Sequence, residues 1–96
     1  MGTIMSLGEA VSQLDSLDNE STIYAAEPWT ENSKAIVERE PESGGLPRIA
    51  QNLGLKYFLE VFVARDFLDG WIANLETEPG DAEKSDRLIQ FAINDA

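Results

Sequence analysis

The chain has 96 residues, a net charge of −11, and neither cysteine nor histidine. This length predicts one domain spanning 1–96, and the missing residue types exclude disulfides, thiolate or imidazole catalysis, and sulfur or imidazole metal sites. The acidic balance argues against nucleic acid as a partner, and no apolar run reaches the roughly 20 residues of a membrane span. Without cysteine or a basic, apolar leader, we expect a cytoplasmic protein.

The first part of the chain predicts one helix and two strands. Ser6 and Glu9 have the spacing of a capping box, and apolar residues at helical spacing follow, which predicts a helix over about 7–16. The segments 22–26 and 34–39 carry β-branched residues in their middles. They predict two strands that pair as an antiparallel hairpin with a long connection.

The middle of the chain predicts a loop, a short helix and a third strand. Two prolines and two glycines mark 41–47 as a loop, and a helix over 48–52 ends before Gly54. The run 55–63, LKYFLEVFV, favours a strand because it is rich in aromatic and β-branched residues, although its spacing also fits a helix. Its nearly continuous hydrophobicity predicts a central strand that is covered on both faces.

The last part of the chain predicts two helices, over about 64–76 and 82–94, with Asp81 as an N-cap. Gly70 lies inside the first of them, which suggests close packing or a binding reason. The order α-β-β-(short α)-β-α-α predicts an α+β fold with a three-stranded, mainly antiparallel sheet and helices packed on one face. A helix-rich fold is the alternative if 55–63 is helical.

The predicted core combines the run 55–63 with an apolar stripe on the helix that follows it. Leu59 and Phe62 are two predicted core residues of this run, and truncating either to alanine is expected to threaten the fold. Phe67, Leu68, Trp71, Ile72 and Leu75 form the stripe.

Acidic residues are clustered along the chain. Residues 1–33 carry six acids and no base, and residues 66–83 carry six more and again no base. Residues 34–65 are nearly balanced, with four acids and five bases. If the two base-free stretches converge in the fold, they form an acidic face for a basic partner.

The candidate partner-binding residues are a loop tryptophan and acids of the base-free stretches: Trp29, Glu31, Asp66, Asp69, Glu76 and Glu78. Trp29 is either an anchor on the core, which we favour, or a binding hot spot. Asp66 and Asp69 would bind Mg²⁺ or Ca²⁺ only with help from Glu60 or Glu76. A solvated helix edge is the simpler interpretation of that pair.

We therefore expect a non-catalytic interaction domain whose acidic surface binds a basic protein. Inhibitors and bacterial immunity-type proteins have this size and charge. The analogy rests on size and charge alone, because no motif in the chain matches a particular family. The first alternative is a structural or assembly subunit that homo-oligomerises, for example as a homodimer, through 55–63 or the Trp71 helix. The second is a carboxylate-based metal binder or enzyme. We predict no catalytic residue, cofactor or metal site.

Overall fold

The computed structural model describes residues 4–95, which form four strands and four α-helices. The strands are β1 (Met5–Ser6), β2 (Thr22–Ala25), β3 (Lys34–Glu38) and β4 (Lys56–Glu60). The helices are α1 (Leu7–Ser12), α2 (Arg48–Leu53), α3 (Val61–Ile72) and α4 (Asp81–Asp95), and a 3-10 turn at Leu14–Ser16 follows α1. The α+β class is confirmed, whereas the predicted number of three strands is wrong.

The sheet is antiparallel throughout, with the strand order β1-β3-β2-β4. The strand that the sequence did not indicate is β1, in which Met5 pairs with Ala35 and Ser6 with Lys34. Two residues are too few to display the alternating pattern of a strand, and the capping box follows them at once. The order also places β2 and β3 in the centre and β4 at an edge, so the prediction of a central strand over 55–63 is wrong.

The apolar run 55–63 is continuous because it contains a bulged strand and then the start of a helix. Ile23 pairs with Leu59 while Tyr24 pairs with Tyr57, which leaves Phe58 as an extra residue in β4. Phe58 and Leu59 consequently both enter the same core, although neighbours in a regular strand point to opposite faces. At Val61 the chain turns into α3.

Helices cover both faces of the sheet, so the prediction that they pack on one face is wrong. The larger core joins α1, α3 and α4 to sheet residues such as Ile23 and Phe58. The smaller core places Tyr24 and Ile36 against Ala50 of the short helix α2. Ile23 and Tyr24 belong to different cores because successive residues of a strand face opposite sides of the sheet.

Helix α1 begins as the sequence predicts and lies close to the loop between β2 and β3. The Ser6 backbone N–H donates to Glu9 Oε1 at 2.9 Å, and the Glu9 N–H donates to Ser6 Oγ at 3.1 Å, which completes the capping box. The Gly8 N–H donates to the Glu31 carbonyl oxygen at 2.8 Å. A Cβ at position 8 would lie 3.1 Å from that oxygen, so glycine permits this close approach.

Two predicted core residues lie at the surface. Phe62 is 48% exposed and Leu75 is 39% exposed, so the prediction that they belong to the core is wrong. Leu75 is exposed because α3 ends at Ile72 and the chain leaves the core there. Gly70 would meet nothing within 4 Å if it carried a Cβ, so close packing does not explain it.

Candidate functional site

Three depressions beside the β2–β3 loop and α4, the first also bordered by α1, share lining residues, and we treat them together as one groove. Their volumes are about 260, 360 and 330 Å³. Glu31 lines both the first and the second depression, and Trp29 lines both the second and the third. We call this surface the acidic groove, after the five carboxylates that line it: Glu9, Glu27, Glu31, Asp81 and Asp86.

The second and third depressions have an apolar surface at Trp29, which packs on the core. The indole Nε1–H of Trp29 donates to the Ala25 carbonyl oxygen at 3.2 Å. Its ring meets the Phe58 ring edge-on, with centroids 4.9 Å apart and planes at 88°. The interpretation of Trp29 as an anchor on the core is confirmed by this packing, and the same half-buried ring lines the groove beside Ile89.

A buried serine fixes the loop that carries Glu31. The Thr30 N–H donates to Ser33 Oγ at 2.9 Å, and Ser33 Oγ donates to the Pro28 carbonyl oxygen at 3.2 Å. The Ser33 N–H also donates to the Thr30 carbonyl oxygen at 3.0 Å. Because Glu31 lies inside this braced turn and its carbonyl oxygen accepts from Gly8, its backbone has a defined place at the rim.

The groove has no basic residue to offset its charge. No lysine or arginine lines any of the three depressions. The ion pairs formed among residues 4–95 use other acids, namely Asp15, Asp18 and Glu78. Within the described part of the chain, the five groove carboxylates therefore have no ion-pair partner.

Ser85 lines the first depression and carries a buried hydroxyl without a hydrogen-bond partner in the described structure. The residue is only 1% exposed, and its Oγ has no hydrogen-bond partner among the described residues. Buried hydroxyls are normally paired, so this one is an exception. The sequence carries a signal for it, since Ser85 occupies a polar position in the apolar stripe of Leu88, Ile89 and Ala92, which the sequence analysis did not single out.

A separate depression, formed largely by α1, α3 and the 3-10 turn, also contains acids but is neutralised. Asp15 and Asp69 line it together with Arg65 and Lys84. Arg65 Nε lies 3.8 Å from Asp15 Oδ1, and Lys84 Nζ lies 3.6 Å from a carboxylate oxygen of Glu78. We call this surface the neutralised depression.

The predicted partner-binding residues are divided between these surfaces. Trp29 and Glu31 lie together in the acidic groove, whereas Asp69 lies in the neutralised depression. Asp66 is exposed on α3, and Glu76 is exposed in the α3–α4 loop, where neither lines a groove depression. Glu78 pairs with Lys84.

Four of the five groove acids were not among the predicted partner-binding residues. Glu9 and Asp81 were interpreted as helix-capping residues, Glu27 was counted only as an acid of the first base-free stretch, and Asp86 lies in the charge-balanced final segment. Both base-free stretches nevertheless reach the first depression, where Glu31 and Asp81 line the same space. Only the tertiary fold brings these positions together, since they are far apart in the chain.

The displaced pKa values belong to residues outside the groove. The Glu20 N–H and the Arg39 guanidinium hold the pKa of Asp18 below its usual 3.8. Burial raises the pKa of Tyr24 and of Tyr57, and nearby glutamates add to the effect. These shifts all move away from neutral pH.

The part of the chain that the structure describes contains neither a cluster of metal-ligating side chains nor a membrane-spanning helix. Among residues 4–95, no three acidic side chains are grouped so that they could hold a metal ion, and the Asp66–Asp69 pair gains no such third ligand. No helix in the same range has the length and apolar character needed to cross a membrane.

In comparisons with protein-family models, curated proteins and solved structures, nothing matches this chain.

Proposed function

We propose that this protein is a non-catalytic interaction domain that binds a basic protein through the acidic groove. The observation that carries the proposal is the combination of an apolar surface at Trp29 with five carboxylates that form no ion pair within the described structure and share their depressions with no lysine or arginine. Protein interfaces commonly combine a central aromatic anchor with a polar rim. An inhibitor or immunity-type role in the cytoplasm is the form of this function that the size, charge and lack of cysteine favour.

The unpaired negative charge of the groove favours a partner with a positively charged surface. Acids that face a basic surface accelerate diffusional encounter and select partners by charge, and salt weakens both effects. Two of the groove acids also have a structural role, because Glu9 closes the capping box and Asp81 lies in the first turn of α4. Glu31 and Asp86 make no described ion pair or side-chain hydrogen bond. Contacts within the fold therefore do not explain these two acids, whereas a role in binding does.

Affinity capture with two charge-matched variants tests this function. One variant carries Glu31→Gln with Asp86→Asn in the groove, and the control carries Asp66→Asn with Glu76→Gln outside it, so that each loses two negative charges. We expect wild type and the control to capture the same basic protein at low salt, and the groove variant to lose it. Equal capture by both variants would contradict the proposal.

Self-association through β4 is the second candidate, because β4 is an edge strand. In the described residues no strand pairs with its outer side, and the neighbouring Tyr57 and Phe62 are 43% and 48% exposed. An exposed edge is a template for pairing with another chain. The bulge at Phe58 argues against it, because bulges disrupt the regular ladder that a second copy would need.

Sedimentation velocity over a range of protein concentrations separates the two candidates. The interaction domain is expected to sediment as a monomer at every salt concentration. A concentration-dependent dimer that Tyr57→Lys disrupts would favour the assembly subunit instead.

A further inference from the structure

We infer that the first depression of the acidic groove is a subsite for a cationic side chain with N–H donors, a lysine ammonium or an arginine guanidinium, supplied by the basic partner. This inference rests on the proposed function and names the chemical group of the partner that the groove would bind. The residues that carry it are Ser85 and the three carboxylates of this depression, Glu9, Glu31 and Asp81.

The Ser85 hydroxyl is the hydrogen-bonding group that the fold leaves spare. Two other hydroxyls at this depression are in use: Ser6 Oγ accepts from the Glu9 N–H at 3.1 Å, and Ser12 Oγ donates to the Glu9 carbonyl oxygen at 2.9 Å. Ser85 Oγ is buried and has no partner among residues 4–95, which costs folding free energy. An N–H donor that enters the depression would satisfy it.

The charge of the depression selects a cation. Its three carboxylates come from three different places, namely Glu9 on α1, Glu31 on the β2–β3 loop and Asp81 on α4. The N-termini of α1 and α4 lie nearby, and each supplies at most about +0.5 of a charge. About two negative charges therefore remain, and no lysine or arginine lines the space.

The first depression has room for a side chain and adjoins an apolar surface. Its volume is about 260 Å³, and it is open to solvent. Glu31 borders both this depression and the next one, where Trp29 and Ile89 form an apolar surface. The preferred partner segment consequently presents a basic residue beside an apolar one.

Small cations test the subsite without the partner. The isotope-labelled protein is titrated with n-butylammonium, methylguanidinium or tetramethylammonium chloride at constant ionic strength, and amide chemical shifts are recorded by NMR. We expect saturable shifts at Gly8, Glu31 and Ser85 with at least one of the first two cations. The third has the same charge but no N–H, and we expect it to produce no saturable shift there. The stronger of the first two binders identifies the partner's side chain as lysine or arginine.

The variant Ser85→Ala distinguishes a subsite from a merely acidic surface. It is expected to weaken the binding of the preferred cation roughly tenfold or more, because a hydrogen bond to a charged donor is lost. It should also raise Tm by a few degrees, because an unsatisfied buried hydroxyl is removed. Ser16→Ala, which removes an exposed hydroxyl outside the depression, is the control and should leave the affinity within about twofold.

Two outcomes would overturn the inference: equal response to all three cations, or an affinity that Ser85→Ala leaves unchanged. Neither outcome refers to the macromolecular partner, so the proposed function would stand if capture still depends on Glu31 and Asp86. Conversely, capture that ignores those two acids would contradict the proposed function.

Discussion

The acidic groove and the neutralised depression are built from the same two base-free stretches of sequence, yet they differ in charge. In the groove, Glu31 and Asp81 lie together without a base. In the neutralised depression, Asp15 and Asp69 lie together with Arg65 and Lys84. The bases that separate the two surfaces lie just outside the base-free stretches, at positions 65 and 84. Clustering of acids along a chain therefore does not tell which acids remain uncompensated after folding.

The two surfaces also differ in what lies beneath them. The acidic groove has an apolar surface at Trp29, supported by Phe58, and an unsatisfied hydroxyl at Ser85. The neutralised depression is small, at about 60 Å³, and its bases already contact acids. A surface with spare charge, a spare hydroxyl and an apolar area has the properties of a binding site, whereas the other has those of ordinary surface packing.

The largest expected effect concerns the support beneath the groove. Phe58→Ala should lower the free energy of unfolding by about 3–5 kcal/mol, because Phe58 is fully buried beneath Trp29. Phe62→Ala, only four residues further on, should cost less than about 1 kcal/mol because that ring is half exposed. Denaturant unfolding measures the free energy of unfolding of both variants. Similar decreases in the two would show that the packing beneath the groove does not depend especially on Phe58.

A smaller effect of opposite sign is expected beside the neutralised depression. Gly70 follows Asp69 on α3 and has open space where a Cβ would be. Gly70→Ala should therefore raise the free energy of unfolding by about 0.5–1 kcal/mol, since alanine restricts the unfolded chain and favours helix. A thermal or denaturant melt checks this. A decrease in the free energy of unfolding would mean that position 70 requires glycine for a contact with another molecule.

The ion pairs of the neutralised depression should contribute little to stability. Lys84→Met is expected to change the free energy of unfolding by less than about 1 kcal/mol, because Glu78 is largely exposed and the Nζ–O distance is 3.6 Å. Chemical denaturation at low and high salt provides the measurement. A loss well above that value would mean that neutralising this surface is a structural requirement of the fold.

The smallest effect is expected from pH near neutrality. The folded pKa of Asp18 is lowered, so its stabilisation is present above about 3.8 and is lost as pH falls through the folded value. The folded pKa values of Tyr24 and Tyr57 are raised, so their stabilisation is present below about 10 and is lost as pH rises further. Thermal melts from pH 6 to 8 should therefore be nearly superimposable. A steep slope in that range would reveal an acid whose pKa is strongly raised.

Much of the fold follows from local patterns in the sequence. The capping box at Ser6, the strands over 22–26 and 34–39, and the helix end at Gly54 all depend on neighbouring residues, and the structure has each of them within one or two residues. Gly54 ends α2 with a φ of 71°, which is the left-handed conformation that glycine favours.

The features that were not predictable depend on distant residues. The two-residue strand β1 exists only because β3 lies beside it, and the edge position of β4 is set by the strand order. The exposed Phe62 reflects a change from strand to helix inside one apolar run. For the site, composition predicted Trp29 and Glu31, whereas Asp86 and Ser85 became relevant only when α4 packed beside the β2–β3 loop.

A titration with hexalysine at low salt, monitored through amide chemical shifts, tests the difference between the acidic groove and the neutralised depression most directly. Hexalysine carries the opposite charge and can sample every acid on the protein. We expect saturable shifts around Glu31, Asp81 and Asp86 that weaken as salt is raised, with much smaller changes around Asp15 and Asp69. Equal shifts at both surfaces, or larger shifts at the neutralised depression, would contradict the claim that the uncompensated groove is the binding surface.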